Sequence, residues 1–246
     1  MLYHLIVPGF ILSLWGLLTT ILPPFVLPDP FVVAGRIWTD RRIFALDALI
    51  TLFEALLGLA LAGFVAVVCA VAFQFTLNGR RAIMPWAVAL KSIPIVAMAP
   101  LMVLWIGNGL ASKVILASLV CFFPLLVALD DGLERLPGGL RDLCAAVGGR
   151  RAQILMLVQL PYGMVQFLSG LKIAAPLSVV GAVVAEYSGA TIGLGHRIIL
   201  SAYRADAAGL LAGTIVCGAV GYFVYRTAAS GADRLLILLR AQNNAN

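Results

Sequence analysis

Few residues in this 246-residue chain could do chemistry. There are two histidines, His4 and His196, and four cysteines, Cys69, Cys121, Cys144 and Cys217. The cysteines are far apart and form no CxxC pair, and three fall in apolar runs, where cysteine behaves as a small hydrophobe. Neither a metal site nor a disulfide framework is expected. The stretch GNGLASKV, 107–114, superficially matches a phosphate loop. That loop, however, needs glycine where this chain has Ser112 and a hydroxyl residue where it has Val114. GATIGLG, 189–195, lacks a nucleotide fingerprint. With no plausible triad either, no intrinsic enzyme is visible. What stands out are single charges in or beside apolar runs: Glu54, Lys91, Lys172 and Glu186. A charge inside a bilayer is costly and marks a functional candidate. The plainer alternative is that it sits near a helix end, snorkels or pairs locally, and for Glu54 and Glu186 that alternative is preferred. If the solute is an anion, Lys91 and Lys172 are the natural steering charges, and Ser178, Glu186, Tyr187 and Ser188 are further candidates for a pathway.

The elements that would hold these residues are hydrophobic throughout. Apolar residues make up 62% of the chain and charged ones 11%, against about 25% charged in a soluble domain. The mean hydropathy is +1.05. The chain is therefore expected to be an all-α integral membrane protein, with no room for a separate soluble domain. The net charge of +6 comes from basic residues in short loops. These read as topological signals facing lipid headgroups, and no basic, aromatic-interleaved cluster suggests nucleic acid.

About six spans are expected, at residues 3–22, 48–75, 84–106, 114–129, 154–185 and 207–225. Residues 26–49, with their prolines, charges and Trp38, should lie at the interface. The first span has no basic leader and no small-residue cleavage site, so it reads as retained. In the second span Gly58, Ala62, Ala66 and Ala70 form a small-residue stripe at i+4 spacing, which lets helices approach closely. Gly209, Gly213, Cys217 and Gly221 do the same in the sixth. Pro85, Pro94 and Pro100 predict a bent or broken third span in the bundle interior. The domain organisation is then 1–49, an N-terminal helix and interfacial segment; 50–229, a core; and 230–246, a tail. If loops 76–82 and 130–153 are cytoplasmic, that side carries nine basic residues (Arg80, Arg81, Arg135, Arg141, Arg150, Arg151, Arg226, Arg234 and Arg240). The other side carries six (Arg36, Arg41, Arg42, Lys113, Arg197 and Arg204). This bias predicts cytoplasmic N- and C-termini.

One polar segment interrupts the apolar chain: GGLRDLCAAVGGRRAQILMLVQLP, 138–161. Pro137, Gly138 and Gly139 stop any helix arriving from the fourth span. Leu140, Leu143, Cys144 and Val147 then repeat at i, i+3, i+4 and i+7, one amphipathic face about two turns long. Gly148 and Gly149 end it, as glycine does at helix C-termini, and Arg150 and Arg151 follow. Two turns are too few to be stable alone. The apolar face is covered either by the protein's own helix ends or the lipid surface, or by a partner with a groove.

The run Asp142-Leu143-Cys144, three residues, Gly148, nine residues, Val158, one residue, Leu160-Pro161 resembles the EAA motif of binding-protein-dependent ABC transporter permeases. That motif runs EAA, three residues, Gly, nine residues, Ile, one residue, Leu-Pro. Asp142 stands in for Glu, Leu143 and Cys144 for the alanines, and Val158 for Ile. Residues 92–127 and 170–206 are similar to the flanking stretches in the nitrate, sulfonate and taurine branch, and the branch importing pyrimidine vitamin precursors is also close. The similarity covers about Leu52 to Tyr225. It implies a type I importer fold, two permease copies pairing as a homodimer, a substrate-binding protein outside, and two ATPase subunits holding ATP and Mg in a bacterial inner membrane. The chain itself would carry no cofactor. The segment Leu140, Arg141, Asp142, Leu143, Cys144, Ala145, Ala146, Val147, Gly148, Gly149, Arg150 and Arg151, with Leu160 and Pro161, would be the coupling element seated on the ATPase. A stand-alone carrier or channel would need coupling groups deep in the membrane, and a membrane enzyme would need clustered His, Asp or Cys. Only scattered charges appear.

Overall fold

The computed structural model describes residues 3–75, 79–135, 138–146 and 148–244. Every regular element among them is helical. In chain order these are α1 (Tyr3–Thr19), α2 (Pro30–Thr39), α3 (Arg41–Phe75), α4 (Gly79–Ser92), α5 (Ile95–Ile106), α6 (Leu110–Glu134), α7 (Gly138–Ala146), α8 (Arg151–Ile154), α9 (Leu160–Glu186), α10 (Leu194–Tyr203) and α11 (Ala207–Asn244). A π-helical turn, Leu155–Gln159, joins α8 to α9.

Among the described residues, four helical stretches are long and apolar enough to cross a bilayer: Arg41–Phe75, Leu110–Glu134, Arg151–Glu186 and Ala207–Ile237. The α4–α5 pair, bent by 100°, makes a fifth if it counts as one broken span. The remaining one of the six expected spans corresponds to α1, whose 17 residues extend about 25 Å, at the short limit for crossing.

The core is a three-helix junction of α3, α6 and α9. Small residues make it possible. A methyl group at Gly58 of α3 would come within 2.5 Å of the Ala117 Cβ on α6. One at Gly181 of α9 would meet the Ala117 Cα at 2.7 Å. Ala117 is thus gripped from both sides by glycines, and Ala62, Ala66 and Ala70 continue the buried stripe down α3. Leu125, Leu126, Leu129 and Leu133 of α6 fill the space below, with Leu155 and Ala174 from the α8–α9 stretch.

The prolines are accommodated in different ways, and one expectation, the interior place of the third span, is corrected. The helix before Pro161 is not broken. Proline lacks the amide that would bond the carbonyl four residues back, and the chain absorbs this by widening into the π turn, where the Leu160 amide donates to the Leu155 carbonyl. The proline-rich third span is broken only once, at Ser92–Pro94, while Pro85 and Pro100 lie inside α4 and α5. Nor does that pair enter the bundle interior. Ala87, Ala99 and Met102 are buried, but Trp86, Leu104 and Trp105 are exposed. The α3–α6–α9 junction is already closed by small residues, which leaves the pair to flank it.

Candidate coupling site and the ion networks at the two ends of the bundle

The polar segment folds as the sequence suggests. The nine residues Gly138–Ala146 form α7. The helix ends in a Schellman closure: the Gly149 amide donates to the Cys144 carbonyl at 3.0 Å, and Gly148 holds φ +81°. A side chain at Gly148 would meet no neighbour, so glycine is needed there for backbone conformation and not for space. The next helix is capped at once, because the Arg150 amide donates to Gln153 Oε1 at 3.0 Å. Leu140 and Leu143 of α7 are exposed, as are Met156 and Leu157 of the π turn. A groove of about 470 Å³ lies between the two, lined by Leu143, Cys144, Gly148, Gly149, Gln153, Ile154, Leu157 and Val158. Ala146, Arg150, Arg151 and Pro161 are exposed, and Leu160 packs on the core. Val147 and the side chains of Arg141, Asp142 and Ala145 lie outside the described residues. On the apolar face of α7, Leu140 and Leu143 are therefore left exposed and Cys144 is half-buried.

At the far end of the bundle is a buried network that sequence reasoning did not assemble. Lys113 Nζ at the start of α6 donates to Glu54 Oε1 of α3 at 2.7 Å. One turn earlier on α3, the Thr51 hydroxyl donates to Glu186 Oε1 at 2.7 Å and accepts from the Leu194 amide at 3.0 Å. Glu186 also accepts from the Gly195 amide. Asp47 accepts from the Gly193 amide at 3.1 Å and pairs with Arg197. Charges from α3, α6, α9 and α10, together with the amides of 193–195, thus close on one another. Glu186 ends α9 as expected, whereas Glu54 lies well inside α3, and the partners of both come from across the fold. The only sequence signals were the loop lysine in GNGLASK and the repeated glycines of GATIGLG.

At the α7 end, Arg80 of α4 faces three carboxylates of α6. Its Nε lies 2.7 Å from Asp130 Oδ2 and its Nη2 lies 3.8 Å from Asp131 Oδ1, and Nη1 pairs with Glu134. Asp130 is 1% exposed, whereas Arg80 is 43% exposed.

Of the pathway candidates, Lys91 lines a cavity of about 720 Å³ between the α4–α5 break and α6–α9, with its Nζ 4.7 Å from the Phe123 ring centroid. Lys172 pairs with Asp233 of α11 at 2.7 Å. Ser178 is fully buried and donates to the Ala175 carbonyl at 2.8 Å. Glu186 belongs to the buried network, and Tyr187 packs beside it with Ile198 and Cys217. Among the described residues no His, Cys, Asp and Glu cluster could hold a metal ion.

Comparison with known proteins meets this geometry. The family model described as "Binding-protein-dependent transport system inner membrane component" matches residues 58–236. A probable ABC transporter permease protein of Haemophilus influenzae is 30% identical over 90% of this chain and 91% of its own length. The formylaminopyrimidine transport permease protein ThiX of Halalkalibacterium halodurans is 32% identical, covering 80% of each chain. The taurine transport system permease protein TauC of Escherichia coli is 29% identical over 76% of this chain and 72% of its own. Among solved structures, a chain of the MetNI methionine ABC transporter, in inward-facing conformations, superposes with a TM-score of 0.62 at 18% identity, over 83% of this chain and 98% of that one. That likeness speaks for the type I importer fold. The chain belongs to the binding-protein-dependent transport system inner membrane components, the non-enzymatic permease subunits of ABC importers.

Proposed function

We propose that α7 is the foot by which a separate ATPase drives this permease. The supporting observation is its build: a two-turn helix that follows α6, closes at Gly148–Gly149 and leaves Leu140 and Leu143 exposed. A short helix in that condition is completed by the lipid surface or by a groove on another protein, and membership of the permease family favours the groove. On this reading two copies of the chain form the pathway, a binding protein delivers the solute from outside, and ATP and Mg are held by the ATPase subunits. Both termini and α7 face the cytoplasm of a bacterial inner membrane. ATP moves the bundle only through differential contact of the ATPases with α7 in two states.

The cavity at Lys91 is the proposed pathway wall. Its polar groups are Lys91, Gln166 and Ser169, and the rest of its lining is aliphatic or aromatic. One cation on a largely apolar wall suits a small organic solute with a polar or anionic head, such as a sulfonate or a pyrimidine precursor. Uptake by proteoliposomes tests the function. Solute should accumulate with ATPase, ATP and binding protein present. Accumulation by the chain alone would instead show a stand-alone carrier.

A further inference from the structure

The α4–α5 pair flanks the cavity, yet it is poorly held by packing. Ala87 is the one buried residue of α4 among those described, and Trp86, Val88 and Leu90 are exposed. Something must nevertheless fix α4 to the rest of the bundle. At the cavity end the Lys91 ammonium lies over Phe123 of α6. At the other end Arg80 engages Asp130, Asp131 and Glu134, all on the last turns of α6. Three residues separate Glu134 from Gly138, the first residue of α7.

The geometry of this cluster is that of a joint. A guanidinium presents several donors in a fixed fork, so one arginine can hold three carboxylates spread over a helical turn. Asp130 is almost wholly buried, and neither of its oxygens has a hydrogen-bond partner in standard geometry; its counter-charge is Arg80. A buried carboxylate without that cation would be strongly disfavoured, which gives α4 a reason to follow α6. Arg80 itself remains 43% exposed, so the joint lies at the water-facing rim and not in the sealed core.

We propose that Arg80 is the positioning residue that carries displacement of α7, through the end of α6, to the bent α4–α5 pair beside the pathway. The proposal rests on the reading of α7 as the ATPase foot. The joint stays closed through the transport cycle, so that α4 and the end of α6 move as one body.

The test separates hydrolysis from transport in the complete complex with its ATPase and binding protein. Arg80→Gln should still co-purify with the ATPase and hydrolyse ATP within about two-fold of the parent, while solute moved per ATP falls about ten-fold. Arg80→Lys, which keeps the charge but not the fork, should lose only about three-fold. Since a buried Asp130 left without its cation could impair folding, a second variant carries the test independently. Arg80→Cys with Glu134→Cys and Asp130→Asn, which leaves no buried charge without its cation, in a background whose native cysteines are alanine, would be bridged by a short reducible thiol cross-linker. Bridging should restore uptake per ATP, and reduction should abolish it again. Uptake that tracks hydrolysis in Arg80→Gln, or a bridge that arrests transport, would overturn the proposal. Failure of the unaltered chain to bind any ATPase would instead defeat the underlying reading of α7.

Discussion

The two ends of α6 are held in opposite ways. At one end Lys113, with its side chain 11% exposed, meets Glu54, 3% exposed, inside a network that takes in backbone amides of 193–195. At the other, a half-exposed arginine is shared among three carboxylates, of which Asp131 and Glu134 face solvent. Burial decides what each arrangement can do. A desolvated pair is rigid because separating the charges leaves each stranded in a low-dielectric site. The two solvent-facing carboxylates of the other cluster add little stability, and its hold on α4 rests on the buried Asp130, whose counter-charge is Arg80 at the rim. One end of the helix is therefore an anchor and the other a joint, and the joint lies beside α7.

Breaking the anchor should have the largest effect. Lys113→Met leaves Glu54 buried and unpaired and should cost about 3–5 kcal/mol, seen as loss of monodisperse protein in detergent or a large fall in thermal midpoint. Replacing Gly58 with leucine attacks the same end of the junction by overpacking against Ala117. A cost of about 1–3 kcal/mol is expected, measurable by thermal unfolding in detergent. Away from both ends, Lys172→Met removes the solvent-facing pair with Asp233 and should shift stability by no more than about 1 kcal/mol. The difference between parent and variant should shrink further in high salt. If Lys172→Met proved as damaging as Lys113→Met, the contrast between buried and solvent-facing pairs, on which the distinction between the ends rests, would fail.

Much of the joint end was legible in the sequence, because its grammar is local. Glycines at 148 and 149, leucines at helical spacing and the Leu160-Pro161 pair all act within one or two turns. The small stripe at Gly58, Ala62, Ala66 and Ala70 was readable for the same reason. The anchor was not, because its partners are separated by as many as 150 residues, as Asp47 and Arg197 are. A lysine in a basic loop looks like a topological signal until the fold brings Glu54 to it. Prolines were ambiguous for a different reason. Pro94 ends one helix and caps the next, Pro161 is absorbed by a π turn, and Pro85 and Pro100 are tolerated inside helices. Tertiary packing, not the residue itself, selects among these outcomes.

The most direct test of α7 as a foot uses Gly148, whose φ of +81° a β-branched residue adopts only at a cost of about 1–2 kcal/mol or more. Affinity-tagged Gly148→Val should insert and purify like the parent chain, and the ATPase recovered with it should fall about ten-fold, the equivalent of roughly 1.4 kcal/mol. Undiminished recovery of the ATPase would contradict the account.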